Sequence, residues 1–236
     1  MGRVFSALRT GLEKLQSYYE NLTPTRKDPD PSRYFPSLTC YEDGGKIVEF
    51  EYVGYLENDF SCTTLRARTC TSPPRDIVVK FMQEPYGASA HEALAEAGLA
   101  PKLLYCGKPS LKSGGPSYGE IEMIVMEYVD GDTVAALKTR RIWDDMKDVV
   151  RSEVRRALQI LHEQKSLVYG DLRGPNVMVT KDKKVKLIDF DWAGVEGQAT
   201  YPSLISDESR KWADGVVARG VIQKKHDLEM LEKLFK

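Results

Sequence analysis

Tyr169-Gly170-Asp171-Leu172-Arg173-Gly174-Pro175-Asn176-Val177-Met178-Val179 is the segment from which the fold of this chain is read. It places an aspartate five residues before an asparagine, among Gly and Pro residues that favour turns. Two short apolar runs follow, 177–179 and 185–188, each the length of a brief strand. The second leads into Leu187-Ile188-Asp189-Phe190-Asp191, with Asp189 thirteen residues beyond Asn176. A hairpin between them returns the chain, so that oxygens of Asn176 and Asp189 can converge on one ion. Amide and carboxylate oxygens are hard ligands of the kind magnesium prefers. Taken singly, the same residues have plainer readings. Asp171 and Asn176 are good turn formers, and a strand-end Asp such as Asp189 is often a helix cap.

Upstream, Asp76-Ile77-Val78-Val79-Lys80-Phe81 reads as a short buried strand that carries one lysine. Residues 47–56 and 61–69 are rich in β-branched and aromatic side chains, and 102–105 and 121–128 read as two more strands. Residues 88–98 are Ala- and Glu-rich, a predicted helix ending at Gly98 before Pro101. The stretch 109–119, with Gly114-Gly115-Pro116, is a predicted loop. The first half is therefore a mostly antiparallel sheet with one helix. Downstream, Val150, Val154, Ala157, Leu158 and Leu161 keep the helical period, and a last helix runs through Leu228, Leu231 and Leu234.

In this order the parts resemble the protein-kinase superfamily. Asp171 and Asn176 match its catalytic loop and Asp189 its metal-binding turn. Lys80 resembles the strand lysine that neutralises nucleotide phosphates. Glu92 and Glu96 are candidates for the helix glutamate that orients that lysine. Glu92 is preferred on its distance to Pro101, with His91 as another occupant of the same turn. Met126-Glu127-Tyr128-Val129 looks like the hinge whose backbone pairs with adenine, which makes Glu127 and Val129 nucleotide contacts. His226-Asp227 opens a helix much as a kinase's central helix carries an Asp that braces the catalytic loop. Arg173 stands where many serine/threonine kinases carry Lys, a place from which to steady the transferring phosphoryl charge; its plainer role is a salt bridge. The stretch from about residue 34 to the end also resembles a group of fungal kinase-like proteins. The matching segments include Gly98-Leu99-Ala100-Pro101-Lys102-Leu103-Leu104 and Ile188-Asp189-Phe190-Asp191-Trp192-Ala193-Gly194.

The resemblance implies an α+β, two-lobed protein-kinase-like fold with an antiparallel β N-lobe and a mainly helical, shortened C-lobe. It divides the chain into residues 1–37 (helix and Pro-rich linker), 38–129 (N-lobe) and 130–236 (C-lobe). It implies ATP and Mg2+ as cofactors, Asn176 and Asp189 as metal ligands, and Asp171, Lys80 and Arg173 as catalytic residues. The implied reaction moves the γ-phosphoryl of ATP to a hydroxyl, on Ser or Thr of a protein.

Four departures open two alternatives. The segment 52–60 offers one glycine, Gly54, where a phosphate-closing loop usually has three. Tyr169-Gly170 replaces the usual His-Arg, which removes the local docking charge for a phosphorylated activation loop. Asp191 replaces the glycine of Asp-Phe-Gly. The segment 195–225 has no Ala-Pro-Glu, and the chain stops about ten residues past His226. A pseudokinase scaffold is one alternative. The other is a small-molecule kinase of the aminoglycoside or choline type, to which Gly170 and Asp191 point.

Composition excludes little of this. Net charge is −1 among 29% charged residues, so no global field points to nucleic acid. Cys40, Cys62, Cys70 and Cys106 form no Cys-x-x-Cys pair, and reduced thiols are expected. Residues 3–20 place Phe5, Leu8, Leu12, Leu15 and Tyr19 on one helical stripe, and Pro24, Pro29, Pro31 and Pro36 follow in a linker. No apolar run approaches a membrane span or a signal-peptide core. Met1-Gly2-Arg3-Val4-Phe5-Ser6 matches the short N-myristoylation pattern, a weak membrane contact at Gly2. An intracellular, cytoplasmic protein is expected.

Overall fold

The computed structural model describes residues 2–22, 35–56, 64–109, 118–140, 142–205 and 212–236. The predicted linker (apart from Phe35, Pro36 and Ser37), most of the loop at 109–119, and residues 57–63 lie outside them. The chain divides into two units, 1–37 and 38–236. The first contains α1 (Gly2–Glu20), none of whose residues is buried. Its apolar stripe is exposed, from Phe5 at 67% to Leu15 at 52%. No helix among the described residues is long and apolar enough to cross a membrane.

The second unit opens with β1 (Cys40–Asp43), β2 (Lys46–Tyr55), β3 (Thr64–Thr69) and β4 (Asp76–Met82). Helix α2 (Ala88–Glu96) follows, then β5 (Leu103–Gly107) and β6 (Glu122–Glu127). These strands form one antiparallel six-stranded sheet in the order β1-β2-β3-β4-β6-β5. Alternation decides which side chains face the second half. Along β4, Ile77 and Val79 pack outward with Tyr41, Phe50, Ala67, Met123 and Val125. Val78 packs on the opposite face with Ile124 and Met126 of β6. Lys80, two residues after Val78, shares that inner face by parity. Strand β1 carried no separate sequence signal; Tyr41, fully buried, is what seats it.

The second half is mainly helical. Strand β7 (Gly131–Thr133) leads to the short α3 (Val134–Leu137) and to α4 (Trp143–Gln159). Met146, Val150, Val154, Ala157 and Leu158 form the buried face of α4, and a π-helical turn, Ile160–Gln164, prolongs it. Then come β8 (Leu167–Val168), β9 (Val177–Thr180), β10 (Val185–Leu187), β11 (Gly194–Val195) and α5 (Lys224–Leu234). Strands β10, β9 and β7 make a small sheet, and β11 pairs with β8. Gly131 sits where a Cβ would lie 2.3 Å from the Val179 carbonyl oxygen, so only glycine allows β7 to approach β9. One large apolar core joins the inner face of the first sheet to α2, α4, β9, β10 and α5. This is the two-lobed α+β arrangement expected from the sequence.

Candidate functional site

The site lies in a cleft of about 350 Å³ between the inner face of the sheet and the β9–β10 hairpin. That volume is in the range of small-molecule pockets. Val78, Met126, Val129 and Met178 line its apolar part. Lys80, Asn176 and Asp189 line its polar part. Glu127 and Val129 also border it, where the strand β6 gives way to the second half.

Lys80 reaches across the cleft. Its Nζ donates to Asp189 Oδ1 at 2.7 Å and to Asp191 Oδ2 at 2.5 Å. Burial pulls the amine's pKa down, but the two carboxylates outweigh it and hold the group above its ordinary value. Asp189 takes a left-handed backbone, φ 64°, which non-glycine residues adopt rarely, Asp and Asn more readily than most. That turn is fixed from several sides. Ile188 N–H donates to Asn176 O at 3.0 Å, Leu187 N–H to Leu99 O at 2.7 Å, and Gly87 N–H to Phe190 O at 3.1 Å. Burial, then the charge of Asp189, push Asp191 up to about 6, against the pull of Lys80.

Asp171 is buried, with only 3% exposed, and its carboxylate is forked by Arg173. Arg173 Nε lies 2.5 Å from Oδ1 and Nη2 lies 2.7 Å from Oδ2. Asn176 Nδ2 donates to the same Oδ2 at 2.8 Å and to the Asp171 carbonyl at 3.0 Å. Burial raises the Asp171 pKa, with Arg173 opposing. Both Asp171 carboxylate oxygens are thus occupied by partners within the loop. The Arg173 guanidinium lies 5.8 Å from the Trp192 ring and 5.3 Å from the Trp212 ring, within cation–π range. The Asn176 amide spends its donor end on Asp171, which leaves Oδ1 as the atom open to a cation. Asn176 Oδ1 and the Asp189 carboxylate are hard oxygens on one cleft wall, and Lys80 adds the positive charge that phosphates require. The residues therefore fit Mg2+ with a nucleotide phosphate chain.

The loop bearing Asp171 hangs on Asp227 of α5. Its Oδ2 accepts Tyr169 N–H at 2.8 Å and sits 2.9 Å from His162 Nε2; Oδ1 accepts Gly170 N–H at 2.8 Å. Gly170 has φ 84°, and a Cβ there would meet Ile222 at 2.9 Å. Only glycine satisfies both conditions. The pairing of this aspartate with the loop was legible from His226-Asp227; the third partner, His162, was not.

One sequence expectation fails. Glu92 makes no ion pair with Lys80, and neither does Glu96; both are on the exposed face of α2. The helix turns Ala90, His91, Ala93 and Leu94 inward instead. The physical reason is phase: a carboxylate at 92 cannot share the inner stripe with 90, 93 and 94. His91 fills the turn, its ring stacked on Phe190 at 4.5 Å and 6°. Its Nε2 is 2.8 Å from Pro101 O and its Nδ1 2.8 Å from the Tyr86 hydroxyl. Donation to a carbonyl fixes the proton on Nε2, so Nδ1 accepts from Tyr86. Tyr169 meets Phe190 edge-on at 5.4 Å. This aromatic pile beside the cleft was missed, because it is assembled from three separated stretches, at 86–91, 169 and 190.

Comparison with known proteins bears on the same residues. The model of the protein kinase domain matches residues 118–210, which include Asp171, Asn176 and Asp189 but begin beyond Lys80. The chain is similar to a probable serine/threonine-protein kinase, mkcF, of Dictyostelium discoideum, 31% identical over 48% of this chain and 17% of that protein. It is similar to a probable cAMP-dependent protein kinase catalytic subunit of Encephalitozoon cuniculi, 24% identical over 72% of this chain and 55% of that one. A putative serine/threonine-protein kinase of Mycoplasma genitalium is 33% identical over 38% of this chain and 24% of its own length. The chain thus spans from about a sixth to about half of these relatives.

Proposed function

We propose that this chain, which belongs to the protein-kinase-like superfamily, transfers the γ-phosphoryl of ATP to a hydroxyl, on serine or threonine of a protein acceptor. One observation carries the reading: Lys80, Asn176 and Asp189 line a single cleft, with Asp171 hydrogen-bonded to Asn176 at its edge. The apolar walls at Val78, Met126, Val129 and Met178 suit the flat face of adenine, with Glu127 and Val129 beside its edge. Lys80 would hold phosphate oxygens. Asn176 and Asp189 would hold Mg2+, which when bound neutralises phosphate charge. Asp171 would accept or orient the acceptor hydroxyl's proton, and Arg173 would steady the charge of the phosphoryl group in transfer. Arg173 must release one Asp171 oxygen for that, and its seat against two tryptophans keeps it close by.

The protein-acceptor part is supported by the serine/threonine kinases among the relatives. The test is phosphate transfer from γ-labelled ATP with Mg2+, offered general protein acceptors beside sugars and amino alcohols. Label on serine or threonine, lost in Asp171→Ala, is the expected result. Turnover confined to the small acceptors would move the protein to the small-molecule kinases. No turnover with intact nucleotide binding would make it a scaffold.

A further inference from the structure

Lys80 has two carboxylate partners, and only one of them has another duty. In the proposed reaction Asp189 turns to the metal, and Lys80 then needs a second anion to stay aimed at the phosphates. Helix α2 cannot give one. Its two carboxylates, Glu92 and Glu96, face solvent, and its inward polar residue, His91, is a ring with both nitrogens already bonded. Asp191 is in place instead. Its Oδ2 is 2.5 Å from Lys80 Nζ, and its Oδ1 is buried with no hydrogen-bond partner, so the ammonium is its main compensation. The residue is also held firmly. Ala193 N–H and Gly87 N–H both donate to Phe190 O, at 3.1 Å each, and Phe190 is clamped against His91.

We propose that Asp191 is the positioning residue for Lys80, replacing a helix carboxylate, so that one turn, Asp189-Phe190-Asp191, sets both the metal ligand and the aim of the phosphate-binding lysine. For its effect on nucleotide the inference rests on the phosphotransferase reading; for the ion pair it does not. Helix α2 then acts as a packed support, and its position is not a switch for Lys80.

The test compares wild type, Asp191→Asn, Asp191→Glu, Glu92→Gln and Glu96→Gln by two readouts. The first is the acylation rate of Lys80 by an N-hydroxysuccinimide ester, followed on its peptide by mass spectrometry. An ammonium that loses a carboxylate partner 2.5 Å away is held less firmly in its unreactive, protonated form, so Asp191→Asn should label severalfold faster. Asp191→Glu should restore a slow rate, and the two α2 variants should stay within about twofold of wild type. The second readout is Mg-ATP affinity, expected to weaken about tenfold in Asp191→Asn, to recover in Asp191→Glu and to hold in the α2 variants. Unchanged labelling in Asp191→Asn, or faster labelling in Glu92→Gln or Glu96→Gln, overturns the proposal. If wild type binds no Mg-ATP, the phosphotransferase reading fails and the labelling still decides the ion pair. If Asp191→Asn does not fold, wild-type protection of Lys80 that Asp191→Glu keeps and the α2 variants leave intact supports it; protection lost in an α2 variant sinks it.

Discussion

Asp227 accepts the backbone N–H of Gly170 at 2.8 Å, tying the start of α5 to the residue before Asp171. Carboxylates that accept several backbone donors in a buried place are worth more than neutral hydrogen bonds. Asp227 is 1% exposed and also serves Tyr169 and His162. Asp227→Ala should cost about 3 kcal/mol or more in urea unfolding, because two N–H groups lose their partner. A loss below about 1 kcal/mol would mean that the loop holds itself.

Asp171 lies beside the cleft and Lys80 lies in it, so their variants should separate two functions. Asp171→Ala should lower turnover by about 10²–10⁴-fold and leave Mg-ATP affinity nearly unchanged. Full turnover in that variant would take Asp171 out of the chemistry.

In the proposed reaction Asp189 meets the metal. Wild type should show a thermal-shift increase with ATP that needs Mg2+, and Asp189→Asn should abolish the Mg2+-dependent part. An equal shift in Asp189→Asn would place the metal elsewhere.

Burial holds His91 neutral, with its pKa pushed down to about 4 from 6.5 in the open chain. Between those values the unfolded chain binds more protons, so stability is full above pH 6.5 and drains away as pH falls. The loss from pH 7.5 to pH 5 should be about 2 kcal/mol, from denaturant midpoints at each pH. The titratable group facing His91 is the Tyr86 hydroxyl, which stays protonated throughout. His91→Phe keeps a ring on Phe190 and should flatten the slope, whatever its absolute stability. A slope that survives intact would trace to another group.

The Gly87 backbone packs directly on the Asp189 turn, its N–H 3.1 Å from Phe190 O. A Cβ there would lie 2.6 Å from the carbonyl oxygens of Phe190 and Ala193. Gly87→Ala should therefore destabilise by about 1–3 kcal/mol and weaken Mg-ATP binding, although the residue touches no part of the cleft. A neutral result in both measurements would show that the turn yields freely.

Reading the sequence picked out residues that the fold brings to one cleft, because they sit on strongly patterned segments. Lys80 follows three apolar residues of a buried strand, and Asp171, Asn176 and Asp189 are spaced along one loop and hairpin. What was not legible depends on phase and on long-range packing. Helix α2 is nine residues long and Ala-rich, so its weak amphipathicity did not show that His91, and not Glu92, faces inward. The Arg173 fork on Asp171 spans two residues of sequence, but its seat against Trp192 and Trp212 needs the folded chain. The partnership of Lys80 with Asp191 spans 111 residues and follows no spacing rule.

Gly131 is pinned against β9, and three residues earlier Tyr128 N–H is bound to Asp76 O of β4 at 3.2 Å. Only Val129 and Asp130 lie between these two attachments, so if the sheet were to turn against the second half, the covalent axis of that turn would lie here. A body turning about so short an axis moves least beside the axis and most at its far rim. A flat ring seated against Val129 would hardly shift as the cleft widened, while groups near Lys80 would travel furthest. Opening should therefore loosen the phosphate end of a bound nucleotide before the base.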